Sequence, residues 1–233
     1  MKTAKAGGEA SRGSVTVACA GFPIPATRYF KEFPFVEIQE THVSMPGQGT
    51  VRRWRREAPA DFTFAVLAPR EIGQEGFRTG GLVDSKLAEL EGVAKELDAK
   101  IAVFTCPPEL TASRPHKQAI KDFLAVVRGR FGRVVFEPPT AWDPKEAEQI
   151  CVDCKVIPAR DPLAHGLFDP KKVKVAYYRM PGPAGHKSRY EDHAIEKLGE
   201  LARASRHDEV FWIFTNVDMA QDAKRLKKAM APT

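Results

Sequence analysis

Eight apolar runs of strand length recur along this chain, and amphipathic or turn-rich stretches separate them. The runs are V-T-V-A-C-A from Val15, F-V-E-I-Q from Phe35, F-T-F-A-V-L-A from Phe62 and I-A-V-F-T from Ile101. They continue with R-V-V-F-E from Arg133, K-V-I-P-A from Lys155, V-K-V-A-Y-Y-R from Val173 and V-F-W-I-F-T-N from Val210. Helical patterns fall at 27–33, 50–58, 84–97, 115–127, 191–204 and 219–230, with another after Asp143, where Pro144 suits a first turn. Asp84 reads as the N-cap of its helix. Gly73, Gly76, Gly80 and Gly81 break the excursion over 70–81. D-P-L-A-H-G-L-F-D-P has no helical period, so the sixth crossover helix is expected to be short or missing.

Strands that alternate with helices form βα units, which require a parallel sheet. Eight such units favour a closed (β/α)8 TIM-like barrel of the α/β class over an open doubly wound sheet. The 233 residues suit one barrel domain over 14–233, after a tail at 1–13 expected to be disordered.

Barrel active sites lie where the strands end. Successive strand residues face opposite sides of the sheet, so Phe35, Glu37 and Gln39 share one face and Val36 and Ile38 the other. The apolar pair suits packing against helices, which turns Glu37 inward. A carboxylate there needs a polar or charged partner, and Arg70, Arg160 and Arg179 are the candidates. Glu137 ends the fifth strand. Glu37 and Glu137 are therefore the candidate catalytic acids, and Gln39, Thr41, Arg70, Arg179, Tyr190 and Asn216 the candidate binding residues. No metal ligand set is assigned at this mouth.

The strand-end strings resemble the domain of unknown function 72 (YecE-like) family. V-E-I-Q-E-T-H-V-S-M-P, from Val36, is similar to that family's V-E-I-N-x-T-F-Y-x-x-P. The string from Trp54 through Arg70 is similar to W-x-x-x-x-P-x-x-F-x-F-x-V-K-x-P-R. C-P-P at Cys106, F-E-P-P-T-A-W at Phe136, Y-Y-R-M-P-G at Tyr177 and F-T-N-V-D-M-A-Q-D-A at Phe214 follow in the family's order. The resemblance implies a TIM barrel with a strand-end site and no established reaction. The chain also departs from the pattern. Leu67 stands for a family Lys, Pro139 and Thr140 for Arg-His, Pro181 for His and Thr215 for Asn. Lost Lys, Arg and His change proton transfer and anion binding.

Charge and cysteine content bound the function. The formal net charge is +6, from 36 Lys and Arg against 30 Asp and Glu, which fits phosphate or nucleic-acid contact and equally a protein with neither. Arg52, Arg53, Arg55 and Arg56 surround Trp54, an arrangement that suits nucleic acid, although on a helix Trp54 would face the core. Lys187 and Arg189 lie where barrels often hold phosphate. Cys151 and Cys154 have a spacing that suits zinc or a redox pair, but free thiols or a local disulfide are expected ahead of a bound metal, and no cofactor is assigned. Of the six histidines, His42 and His165 are placed near the mouth. No P-loop or dinucleotide fingerprint occurs. No apolar stretch is long enough to span a bilayer and no hydrophobic leader is visible, so a cytoplasmic protein without a membrane partner is expected.

Two classes of function remain open. One is an enzyme acting on a phosphorylated or nucleic-acid-derived anion, with Glu37 or Glu137 as acid/base and Arg70 and Arg179 as clamp. The other is a non-catalytic barrel that binds nucleic acid or protein through basic surface loops.

Overall fold

Each of the eight apolar runs forms a strand, because β-branched and aromatic side chains pack well on a pleated, buried surface. The structure, a computed structural model, describes residues 13–231. The strands are β1 Ser14–Ala20, β2 Phe35–Ile38, β3 Thr63–Leu67, β4 Ile101–Thr105, β5 Arg133–Glu137, β6 Ile157–Arg160, β7 Val175–Met180 and β8 Glu209–Phe214. They pair in chain order, all parallel, and β8 returns to β1 from Ser14↔Glu209 to Cys19↔Phe214, which closes the barrel. The expected tail at 1–13 lies outside the described residues, Gly13 excepted.

The helices are α1 Ala26–Glu32, α2 Gln48–Glu57, α3 Arg70–Gln74, α4 Gly81–Leu97, α5 Arg114–Val127, α6 Pro144–Cys154, α7 Pro162–His165, α8 Asp192–Ala204 and α9 Met219–Met230. A 3-10 turn, Glu40–His42, follows β2. The sixth crossover helix is indeed short, since α7 has only four residues. Asp143 caps α6 by accepting from the N–H groups of Lys145 and Glu146.

Two sequence expectations need correction. The stretch after Arg70 is not a structureless excursion, because α3 occupies it. Five residues are too few to show a helical period. Gly73 there is no breaker either: a Cβ would sit 2.9 Å from the Pro107 ring, so glycine permits the close approach of α3 to the β4 loop. Helix α4 starts at Gly81 with Gly80 as its N-cap, which places Asp84 in the first turn, where its charge complements the helix dipole.

Period-2 alternation sorts the buried side chains into two layers. Val36, Ile38, Phe64, Val66, Phe104 and Trp212 belong to the layer between sheet and helices. Ala18, Ala20, Ala65, Phe35, Tyr177 and Phe211 belong to the barrel interior. Small residues on β1 and β3 leave room there for the large rings of β2, β7 and β8. Phe211 packs against Phe35 and Tyr177 with centroids 5.3 and 5.4 Å apart. At the lower rim Arg133 forms a fork with Glu209, at 3.1 and 2.6 Å, and lies over the Phe211 ring.

A buried polar chain fastens the segment before β7. The Phe168 N–H donates to the Tyr178 hydroxyl at 2.9 Å. That hydroxyl and His207 Nε2 lie 2.9 Å apart, and His207 Nδ1 is 2.8 Å from the Val173 carbonyl. A carbonyl only accepts, so Nδ1 carries the proton and Nε2 accepts from Tyr178. Burial lowers the His207 pKa, and the Val173 bond only partly offsets it. The unfolded chain therefore binds a proton more readily, so this neutral imidazole stabilises the fold above the unfolded value, about 6.5. That contribution is lost as pH falls through the folded value. We expect His207→Gln to cost about 1–3 kcal/mol at pH 7.5 and to show a smaller loss of stability than the native chain on acidification below pH 6.5, read by urea denaturation at several pH values.

Candidate functional site

The inward face of β2 sets the floor of the barrel mouth. Glu37 has no exposed surface, and both of its carboxylate oxygens are used. Oε1 accepts from Arg179 Nη2 at 2.8 Å, and Oε2 accepts from the Tyr177 hydroxyl at 2.8 Å. Burial, reinforced by the Glu37 charge, pushes the Tyr177 hydroxyl well above its ordinary pKa, which keeps it a neutral donor. Arg179 reaches across to β5 with its other terminal nitrogen, Nη1, which donates to Glu137 Oε2. Burial opposes the guanidinium charge, but Glu137 and Glu37 outweigh it and raise the Arg179 pKa. The Arg179 Nε–H, buried, has no hydrogen-bond partner among the described residues.

Above this floor opens a cleft of about 1020 Å³. Glu137 and Arg179 face it, together with Glu40, His42, His186, Lys187 and Asn216. Glu137 keeps 22% of its side-chain surface and Glu37 keeps none, so only Glu137 of this pair is open to a ligand. Glu40 lies in the 3-10 turn after β2. Burial raises its carboxyl pKa against the opposing effect of its backbone hydrogen bonds, and Oε2 is buried without a partner.

Two imidazoles border the same cleft, and a strand-end carbonyl fixes each one. His42 Nδ1 is 2.7 Å from the Ala68 carbonyl, and His186 Nδ1 is 2.8 Å from the Thr215 carbonyl. Both Nδ1 atoms must donate, which leaves each Nε2 free of the proton in the neutral ring. His42 was placed near the mouth by the sequence. His186 was not, because its position depends on the fold of the loop after β7. Glycine at 182, with φ +99°, makes that loop possible, and Ser188 packs where a Cβ would be.

Other sequence candidates have different positions. Gln39 is exposed and faces the cleft. Thr41 is buried, and its hydroxyl contacts the carbonyls of Ile38 and Leu67 at 2.9 and 2.5 Å, tying the end of β2 to β3. Tyr190 is buried and accepts from the Gly182 N–H at 2.8 Å. Asn216 is buried at the edge of the cleft, where Nδ2 donates to Asp222 Oδ2 at 2.8 Å and Oδ1 has no partner. Arg70 is exposed at the start of α3 and does not reach the Glu37 network. Arg160 does not pair with Glu37 either: its guanidinium lies 3.8 Å over the Phe168 ring and 3.9 Å from Glu148.

All four cysteines are free. Cys151 is fully buried beneath β5 and Cys154 half-buried, and burial raises the pKa of both thiols. Among the described residues no cluster of His, Cys, Asp and Glu has metal-site geometry, and no helix is long and apolar enough to cross a membrane. In the 52–56 cluster, Trp54 is buried as its helical position implies. Arg52 pairs with Glu96 at 2.7 Å, and Arg55 donates to the carbonyls of Pro59, Ala58 and Phe62.

Residues 26–233 match the family described as protein of unknown function DUF72. A DUF72 family protein from Enterococcus faecalis V583 superposes with a TM-score of 0.73 at 16% identity, covering 95% of this chain and 99% of that one. One from Thermotoga maritima MSB8 gives 0.69 at 19% identity, covering 93% and 99%. A xylose isomerase domain containing protein from Salmonella typhimurium LT2 gives 0.61 at 13% identity, covering 92% and 96%. At these identities the likeness shows a shared barrel fold. No curated protein matches this chain in sequence.

Removing Arg179 would leave two facing carboxylates without their cation, one of them fully buried. Breaking a buried pair from one side costs about 3–5 kcal/mol. We expect Arg179→Ala to lose stability in that range by denaturant unfolding. Glu137→Gln, at the solvent-facing edge, should cost less than Glu37→Gln in the same assay.

Proposed function

This chain belongs to the DUF72 family, and from that premise we propose that it is an enzyme performing proton-transfer chemistry on a small phosphorylated molecule in the barrel mouth. The observation that carries this reading is the presence of two carboxyl groups in unlike surroundings within one cleft. Glu137 is ion-paired to Arg179, whereas burial raises the pKa of Glu40. Environments that differ in this way assign one group as proton acceptor and the other as donor. Glu137 takes a proton from the substrate, and Glu40 delivers one to the oxygen that gains electron density. His42 borders the same space with a free Nε2.

Glu37 supports this chemistry from below. Both of its oxygens are occupied and it has no exposed surface, so it positions Arg179 and does not touch the substrate. Arg179 is likewise a poor anion clamp, because two carboxylates already surround it and the trio is net negative. The phosphate is assigned instead to the late loops, where Lys187 stands exposed at the rim. Barrels commonly bind phosphate after strands seven and eight. A cytoplasmic setting, which keeps thiols reduced, suits the four free cysteines.

The non-catalytic nucleic-acid alternative is the weaker one, since Arg52 and Arg55 are engaged within the chain and only Arg53 and Arg56 of that cluster lack a polar partner among the described residues.

Thermal-shift and calorimetric titration with phosphate monoesters tests the proposal, because a ligand of the folded state raises stability by mass action. Lys187→Ala should weaken binding roughly tenfold, the loss of one charge-assisted contact. Glu137→Gln should retain binding and lower turnover of the cognate ester by at least about 100-fold. Failure of every monoester to bind, or binding indifferent to Lys187, would overturn it.

A further inference from the structure

A second recess, of about 200 Å³, lies beside the main cleft. Glu137, Pro138, Pro139, Thr140 and Pro181 line both spaces, so the two adjoin at the proposed proton acceptor. The recess begins where β5 and β6 stop pairing. Their last paired residues are Phe136 and Pro158, and the next ones, Glu137 and Ala159, line its wall.

We infer that this recess is the subsite for a planar, ring-sized, largely apolar group of the substrate, joined to the phosphate that the late loops hold. Three observations carry this. The first is the lining: Pro138, Pro139 and Trp142 present ring surfaces, and Arg160 covers Phe168 beside them. Trp142 is fixed there, with its indole N–H donating to the Leu110 carbonyl at 2.8 Å. The second is the wall formed by Arg160 and Phe168. The guanidinium lies 3.8 Å over the ring centroid and its Nε–H donates to the Gly166 carbonyl at 3.0 Å, two contacts that hold this planar group at the wall. Flat walls select flat ligands, and arginine planes serve this purpose well. The third is size. A cavity of about 150 Å³ accepts benzene, so this recess accommodates one six-membered ring with small substituents.

Thr140, Glu148, Asp161 and His165 add polar groups to the lining, and two of them, Asp161 and Glu148, are spoken for on at least one side. Asp161 Oδ1 accepts from the Leu163 N–H at 2.8 Å, and Glu148 lies 3.9 Å from Arg160. A few oriented polar groups on an apolar lining are what fix a small ligand's direction. A ring in the recess and a phosphate at Lys187 would place the atoms between them beside Glu137. The inference thus names the substrate class for the proposed reaction, a phosphate monoester with an aryl or heteroaryl ring on the carbon atoms that carry the phosphate, those carbons supplying the proton that Glu137 takes, and rests on that reading.

The test compares phenyl phosphate with methyl phosphate by isothermal titration of the full chain. Burying one ring should make phenyl phosphate bind roughly tenfold tighter. Ala147→Leu and Ala164→Leu, separately and together, fill the recess. Ala164 is exposed and Ala147 half-buried, so the fold should survive. The filled double variant should bind both esters alike, at the native affinity for methyl phosphate. Equal native affinities, or a phenyl preference that persists in the double variant, would overturn the subsite. Phenol soaked into crystals separates the two readings. Phenol in the recess while no phosphate ester binds upholds the subsite and removes the phosphate assignment. A recess that takes neither phenol nor phenyl phosphate removes the subsite, whatever methyl phosphate does.

Discussion

A single guanidinium organises the mouth of this barrel. Arg179 leaves β7, crosses the interior and meets Glu37 of β2 and Glu137 of β5 with separate terminal nitrogens. A carboxylate on the inward face of β2 could not be buried without such a partner. The pairing therefore explains how an acidic residue is tolerated where Phe35, two residues earlier, packs against apolar rings. It also ties three strands across the barrel and leaves Glu137 as the one carboxylate of the pair that a ligand can reach. The Tyr177 hydroxyl completes the shell of Glu37 from the neighbouring turn of pleat on β7.

The cleft and its annexed recess follow from that floor. Because two carboxylates already surround Arg179, the phosphate proposed above is assigned to Lys187 at the rim and not to Arg179. The family pattern carries a histidine where this chain has Pro181, and His186, five residues later, brings an imidazole to the same cleft. The turn at Gly182, φ +99°, lies between the two positions in the loop after β7.

Alternation made the strands and the inward direction of Glu37 legible, because period 2 is a local property of the chain. Helix α3 was not legible, since five residues make little more than one turn and the pattern never repeats. The partner of Glu37 could be narrowed only to three arginines. Choosing Arg179 over Arg70 and Arg160 needs the barrel's curvature, which places β7 across from β2 and turns Arg70 outward. Thr41 and Asn216 follow strand ends and Tyr190 lies in the loop between β7 and α8, yet their polar atoms serve backbone and neighbouring side chains. Distinguishing a hydroxyl that binds a ligand from one that ties two strands together requires knowing which carbonyls approach it. Glu40 and His186 gained their interest only from burial and from carbonyls distant in sequence.

The account depends on Arg179 holding both carboxylates at once. Double-mutant cycles that combine Arg179→Met with Glu37→Gln, and separately with Glu137→Gln, measure this directly through unfolding free energies. Residues that share one network couple by about 0.5–3 kcal/mol. We expect coupling in that range in both cycles, with the larger value for Glu37. Additivity within about 0.3 kcal/mol in either cycle would show that Arg179 does not bridge the two strands, and the floor described here would not exist.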